Sequence, residues 1–545
     1  MKSRFLKISI LCFCIYASSF VLAQEILWKK NFGGTRNDFY SGVTSVSDGI
    51  IAVGYSDFGS FENGDWEDIE GKGDVDAIII KYDQDGNVIW KSNFGGNGID
   101  RYDAVYNVLN GVVAVGYSSY SSFGTGDWEE FESKGYQDAV MVMYDNDGNI
   151  VWKKNFGGKQ TGYTRFFSVT ALPDGIVAAG YSDGFGEGDW EDMEGNGSDD
   201  AIMVKYDYEG NIVWKINFGG NDVDRFFSIT EASDGIVAVG ISYSGSFESG
   251  DWELDTCKGN KDAIMVKYDT DGNVMWKKNF GGISDDIFYS VTAVSDGLVA
   301  VGISFPNSFE TGDWKEITGK GWEDAMIVKY DNDGEIVWKK NFGGNGRDCF
   351  YAVTEVANGL VAVGGADGFS SGDWANIAGK GNDDAIIVRF DHEGNVIWKN
   401  NFGGNDTEIY YALTAFSDAI VAVGYANFNS FNSGDWDDME SKGWEDAVTV
   451  KYNVENIGII ELPVSNVTKI QVYPNPTAGE LTITNYDSNN GINSLVIEVF
   501  DVYGRKLLIH PLIPSSSHHF INISHLPAGI YILRVENDVV KVVKQ

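Results

Sequence analysis

Carboxylates are the reactive groups this chain holds in excess: 80 Asp and Glu stand against 40 Lys and Arg and five His. Two carboxylates can cleave a glycosidic bond, but their surroundings must differ so that one keeps its proton and the other loses it. Here the acids recur in register. Asp65, Asp127, Asp189, Asp251, Asp313, Asp373 and Asp435 each stand between a Gly and a Trp, and seven equal sites argue for structure or multivalent binding over one catalytic pair. Nucleophilic chemistry is poorly supplied. Before residue 453 there is one histidine, His392, in a turn where sister segments carry Gln84, Asn146, Tyr208 or Thr270. A Ser-His-Asp or Cys-His arrangement and a His/Cys zinc site therefore lack their imidazoles. The expectation is a non-enzymatic binding or scaffold protein, with a polysaccharide hydrolase or lyase, or a purely structural protein, as alternatives.

Two other patterns suit ligands. The turn Asp83-Gln84-Asp85-Gly86-Asn87 offers three oxygens, yet it lacks the bidentate acid that completes a calcium loop, and Asx hydrogen bonds with one glycine explain it. The acid-rich loop that follows Gly64 is the better calcium candidate, through Asp65, Asp68, Asp74 and Asp76. The loop tryptophans Trp66, Trp128, Trp190, Trp252, Trp314, Trp374 and Trp436 have two readings. An exposed ring amid Asp, Asn and Glu stacks on the C–H face of a sugar, whereas a buried ring pins a long loop. Trp322 and Trp444 follow a Lys-Gly pair in two segments only and are candidates for exposed contacts.

The elements that must position these residues follow from a repeat. Trp28, Trp90, Trp152, Trp214, Trp276, Trp338 and Trp398 open seven near-copies, spaced by 62 residues five times and 60 once, which marks a repeat architecture. One copy splits into Phe226–Thr230, a near-continuous apolar run Ile236–Gly240, Ala263–Tyr268 and Val274–Phe280, with Gly- and Asp-rich turns between. Gly or Asp interrupts every run before a helix could form. Four antiparallel strands per unit predict an all-β, seven-bladed β-propeller over 24–452, with repeats starting near 28, 90, 152, 214, 276, 338 and 398. The last unit lacks a fourth strand and the Trp28 strand is left over. Pairing the two would complete the blade built from 410–452 and remove two exposed edges. The strand holding Gly42, Ala104, Ser168, Ser228, Ser290, Ala352 and Ala412 is placed innermost, because small residues fit where seven strands converge.

Residues 1–23 read as a secretory signal: Lys2, Arg4 and Lys7, then an apolar run shorter than a membrane span, then Ala23 before Gln24. Losing three basic residues moves the net charge from −40 to −43, which disfavours nucleic acid. Cys257 and Cys349 occupy different places in different repeats, so no disulfide is expected between them. A linker over 453–466 leads to a second β-rich module, 467–545, which is nearly neutral with six basic and six acidic residues.

Both parts resemble known families. Trp214 to Gly220, Asp234 to Gly240 and Asp262 to Asn273 resemble bacterial β-propeller repeats with "WxKxFGG", "DGxxVxG" and "DAxxxKxDxxGN" signatures. The S-x-D-x-G-x-T-W turn of propeller sialidases is not matched by Asp85 to Trp90. The C-terminal module resembles the type A sorting domain of the type IX secretion system. It has the start Pro474-Asn475-Pro476, the turn glycine Gly504, Gly529 and Tyr531 in the penultimate strand, and Lys541 and Lys544 at the end. That resemblance implies a small Ig-like β-sandwich, the type IX machinery as partner, and delivery to the cell surface or beyond. It also assigns His510, His518, His519 and His525 to an address module. No cofactor is expected apart from the calcium candidates, and the extracellular partner is an unidentified protein or glycan.

Overall fold

The computed structural model describes residues 26–416 and 419–453 and, toward the C-terminus, the strands between 471 and 544. The signal over 1–23 and the linker after Asn453 lie outside the described residues. The chain divides into two units, Met1–Ile457 and Gly458–Gln545.

In the first unit β1 (Ile26–Phe32) is followed by β2 (Asp38–Val46), β3 (Gly49–Asp57), β4 (Val75–Asp83) and β5 (Val88–Phe94). The last four form one antiparallel sheet in sequence order, and five further sheets repeat it. The seventh sheet takes its outermost strand from the opposite end of the unit. β1 pairs antiparallel with Glu445–Asn453, Trp28 opposite Lys451 and Phe32 opposite Ala447. The seven-bladed propeller is thus closed by its first strand, as the count of repeated segments requires.

β2 and its counterparts line the axis. A Cβ on Gly42 would lie 3.0 Å from the Ala104 backbone of the next blade. Ser168 Oγ accepts the next blade's Ile229 N–H at 3.1 Å. Small residues at this register are required by the crowding of seven strands. The third and second strands are buried on both faces, and the core consists of seven apolar layers between neighbouring blades. One joins Ile51, Val53 and Ile79 to Tyr102, Val112 and Trp128. The closing layer sets Phe416, Val421 and Ala447 against Tyr40, Ile50 and Trp66. Cys257 and Cys349 are free.

One end of the propeller carries the loop between the second and third strands, 58–74 in the first blade, together with the crossings between blades, 33–37. The opposite end carries tight hairpins. We call these the loop face and the hairpin face. In the hairpins Asp83 Oδ1 accepts Asp85 N–H at 2.9 Å and Asn87 N–H at 2.8 Å, and Gly86 takes φ +77°. This turn closes on itself through Asx hydrogen bonds.

The second unit contains two antiparallel sheets. One has three strands, Gln471–Tyr473, Glu480–Thr484 and His519–Asn522; the other has four, Lys506–Pro511, Val496–Asp501, Gly529–Val535 and Asp538–Lys544. Tyr531 is buried, and Lys544 Nζ donates to the Leu526 carbonyl at 2.6 Å. Gly529 pairs with Lys544 and Ile532 with Lys541. Pro474, Asn475, Pro476 and Gly504 lie outside the described residues.

Deleting residues through Phe32 removes β1 and leaves Glu445–Asn453 as an open edge. The expected result is a propeller that unfolds at lower temperature and self-associates in size-exclusion chromatography. A deletion variant that stays monomeric with unchanged melting would show that β1 does not close the ring.

Candidate binding face

Three sets of recurring carboxylates lie toward the loop face, and each set has partners within the protein. The first starts the innermost strand. Asp38 Oδ1 accepts from Ser56 Oγ at 2.5 Å and Trp66 Nε1 at 3.0 Å, while Oδ2 accepts from Gly34 N–H at 3.0 Å and Ser60 Oγ at 2.9 Å. The arrangement recurs at Asp100, Asp224 and Asp286. Asp348 keeps the contacts to Trp374 and Gly344. Burial pushes the Asp38 carboxyl up to about 6 against these donors, and Asp348 up to about 7.

The second set starts the third strand. Asp76 accepts from Lys72 N–H, Gly73 N–H and Asn93 Nδ2, the last at 2.6 Å; Asp446 and Asn31 repeat this pair across the closure. The third set is the Gly-Asp-Trp aspartate. Asp127 accepts Gly95 N–H at 2.9 Å and receives Lys72 Nζ of the preceding blade at 2.7 Å. Lys134–Asp189, Lys258–Asp313, Lys320–Asp373, Lys380–Asp435 and Lys442–Asp65 carry this ion pair to five more junctions. Asn196 takes the lysine's place beside Asp251 at 3.4 Å.

This geometry decides between the two readings of the loop tryptophans and does not assemble the calcium candidates. Trp66, Trp128, Trp190, Trp252, Trp314, Trp374 and Trp436 are all fully buried, so none presents a ring to a ligand. Each pins its loop, and in five blades its N–H meets the buried carboxylate. The calcium candidates are not brought together. Asp65 and Asp76 serve separate structural roles and Asp68 and Asp74 are exposed apart from them. Among the described residues no group of three or more acidic, His or Cys side chains is placed to hold a metal ion.

Two blades depart from the pattern. Thr164 replaces the inner aspartate and bonds Ser182 Oγ at 2.9 Å, leaving Trp190 Nε1 buried without a partner. Glu408, one methylene longer, does not pair with Trp436 Nε1, which stays buried without a partner, although Ser430 Oγ and Gly404 N–H face its carboxyl. Burial, with the charges of Asp384 and Asp406, pushes the Glu408 carboxyl up to about 8.

Exposed aromatic groups gather on the loop face. Trp322 is 79% and Trp444 59% exposed, as their irregular occurrence suggested. Phe58, Tyr120, Tyr136, Tyr163 and Phe428 join them. Sequence reasoning missed these five. The available signal was their departure from sister repeats, which carry Ser244 or Pro306 at the place of Tyr120, and Ser198 or Asn260 at the place of Tyr136. Tyr120, Tyr136 and Tyr163 form a file, with ring centroids 5.0 and 5.2 Å apart. Nearer the axis, a bulge in each innermost strand releases one residue from pairing. Phe167, Phe227, Tyr289, Tyr351 and Tyr411 occupy it in five successive blades and make an arc with centroid spacings of 5.2–5.8 Å. Asp103 interrupts the arc and receives Arg165 through Nε and Nη2. His392 lies on the hairpin face, where its carbonyl accepts Trp338 Nε1 at 3.0 Å.

The family described as "Secretion system C-terminal sorting domain" matches residues 471–545. The chain is similar to "Regulatory protein FlaEY" of Caulobacter vibrioides, 24% identical over 356 residues, 59% of this chain and 35% of that protein. It is similar to an "Uncharacterized protein" of Aquifex aeolicus, 25% identical over 180 residues, 32% of this chain and 43% of that one. The chain thus spans less than half the length of the curated relatives it matches. Among solved structures, the WD40 β-propeller domain of Doa1 is 10% identical, covering 80% of this chain and 98% of that one, with a TM-score of 0.40. The phage phi92 endosialidase is 9% identical, covering 89% and 79%, with a TM-score of 0.36.

Two outcomes follow from the buried network. Trp252→Phe removes the donor to Asp224 and Ser242, whereas Trp436→Phe removes none. The first should cost about 1–2 kcal/mol more than the second in denaturant melts, because only the first removes a hydrogen bond from a buried carboxylate. Glu408 gives a pH dependence. Unfolded, it titrates near 4.5; folded, it holds its proton to about 8. Between these values the folded state binds the proton that the unfolded chain has lost, so stability falls as pH rises. Comparing melts at about pH 5 and about pH 8.5, Glu408→Gln should flatten that fall by up to a few kcal/mol.

Proposed function

The chain joins a seven-bladed propeller to a sorting domain of the type IX secretion system, and from that premise we propose that it is a non-enzymatic binding module acting at the cell surface or outside the cell. Residues 1–23 serve as its export signal, and the sorting domain folds as an Ig-like sandwich. The loop face is the contact surface. The observation that carries this reading is the concentration of exposed aromatic side chains there, at Tyr136, Trp322 and Trp444, on a molecule whose repeated carboxylates are occupied in its own packing. Tyr and Trp give large contact area at small entropic cost and are enriched where proteins bind. The surrounding negative charge favours neutral or basic partners and repels phosphate polymers.

The test is binding of fluorescently labelled full-length chain to fixed cells of its producer. Replacing Tyr136, Trp322 and Trp444 together by alanine should leave melting within about 0.5 kcal/mol, since all three are exposed, and abolish binding. Val151→Ser with Val213→Ser, on the perimeter toward the hairpin face, should leave binding intact. The reverse pattern would move the contact surface away from the loop face.

A further inference from the structure

A cleft of about 350 Å³ opens on the loop face where the last blade meets the first, lined by Asn37, Asp406, Asn427, Phe428, Trp444 and Glu445. Phe428 and Trp444 are its exposed aromatic walls. They share one backbone frame, since Phe428 N–H donates to the Trp444 carbonyl at 2.9 Å and Trp444 N–H donates to the Arg36 carbonyl at 3.1 Å. The Arg36 guanidinium lies over the Trp444 ring, 4.4 Å from its centroid.

The polar groups of the cleft are unequally satisfied. Asn37 donates to Asp57 at 2.9 Å. Asp406 accepts the amides of Asn382 and Asn429 at 2.9 Å and of Asn427 at 3.4 Å. Asn427 Oδ1, however, is buried without a hydrogen-bond partner. At the same register Ser119, Asp183 and Asp367 each use a side-chain oxygen to accept a backbone N–H, from Ile99, Tyr163 and Arg347. Asn427 alone among these four keeps its acceptor free, and it does so in the wall of an open cleft. A buried acceptor without a donor is costly, so the site favours a ligand that brings one once the half-buried Asn427 amide turns into the cleft it lines. Glu445 adds a second acceptor, its carboxyl raised above the usual range by burial and by Asp57.

Charge then narrows the ligand. Arg36 already places a cation over Trp444, which disfavours a second one there. Asp406 and Glu445 disfavour an anion. A neutral ring with several hydroxyls fits what remains: donors for Asn427 Oδ1 and Glu445, an acceptor for Arg36, and a C–H face for the aromatic walls. We propose that this cleft binds a neutral sugar unit of an extracellular glycan. The proposal rests on the loop-face reading above and gives it a place and a ligand class.

The experiment is an array of neutral oligosaccharides (glucans, mannans, xylans) with cationic chitosan and anionic hyaluronan alongside, probed with the full-length chain. Binding to a neutral glycan is expected. Trp444→Ala and Asn427→Ala should each weaken it by at least about tenfold with unchanged melting, while Val151→Ser should not. Phe428→Ala replaces Trp444→Ala if the latter melts early. Neutral-glycan binding that is lost with Trp322→Ala or Tyr136→Ala but survives Trp444→Ala overturns the cleft and keeps the loop face. Binding confined to chitosan or hyaluronan, or none to any glycan, overturns the sugar assignment. The cell-binding test then decides separately whether the loop face binds at all.

Discussion

The aspartate that opens the innermost strand of five blades is the contact on which their loops depend. It sits where three pieces of chain must meet: the strand at the axis, the end of the second strand, and the long loop returning to the third. Asp38 answers all three at once through Gly34, Ser56, Ser60 and Trp66. Four donors on one buried acid are strong because water is absent and one partner can be charged, and the same burial raises the acid's proton affinity. The indole thereby gains a partner for its only polar atom and fills the space between blades with apolar surface. The loop carrying the face's exposed groups is fixed at its middle by this one side chain, so those groups project from a rigid base.

A ring of near-equal blades uses its repeated residues up in holding the ring together. The Lys–Asp pairs link neighbours at six junctions. On the other face Trp28 donates to the Gln84 carbonyl of the next blade, and five further tryptophans follow suit. Slots nearer the axis are matched pair by pair: Arg101 lies over Tyr55, Arg165 over Tyr117 and Arg225 over Tyr181, whereas Phe39 packs at a tilt against Tyr425 at the closure. Whatever is present seven times is therefore a poor guide to binding, and the residues that differ between blades are the informative ones.

This explains which parts were legible in the amino-acid sequence. Strand count, closure by the Trp28 strand and the innermost strand depend on periodicity and on small residues at one register, both local. The state of the loop tryptophans was not local. Trp66 stands among Asp65, Glu67 and Asp68, a setting that leaves exposure and packing both open, but its ring is enclosed by Phe32 and Phe61 and its N–H finds Asp38 far upstream. Asp65 and Asp76 looked like calcium ligands for the same reason: the amides and lysines they serve come from other strands and other blades. The aromatic file Tyr120–Tyr136–Tyr163 spans two repeats, and Arg36 and Trp444 lie near opposite ends of the propeller's chain. Such neighbours become visible only when the blades are stacked and the ring is closed.

The closure concentrates these departures. β1 and Glu445–Asn453 are not consecutive in the chain, so no hairpin joins them as one does in every other blade. Trp398, whose six counterparts donate to a neighbour's hairpin carbonyl, has its Nε1 buried without a partner. The closing blade beside it carries Glu408 in place of aspartate and an indole, Trp436, left unpaired. Strand pairing with β1, the Lys442–Asp65 bridge and the Asn31–Asp446 bond hold the join, while the finer restraints seen in other blades are relaxed. Exemption from the repeat leaves side chains there free to serve something other than the ring. The cleft between Phe428 and Trp444 lies at that join, with an unpaired acceptor buried in its wall, and this is the physical reason to look for recognition where the circle closes.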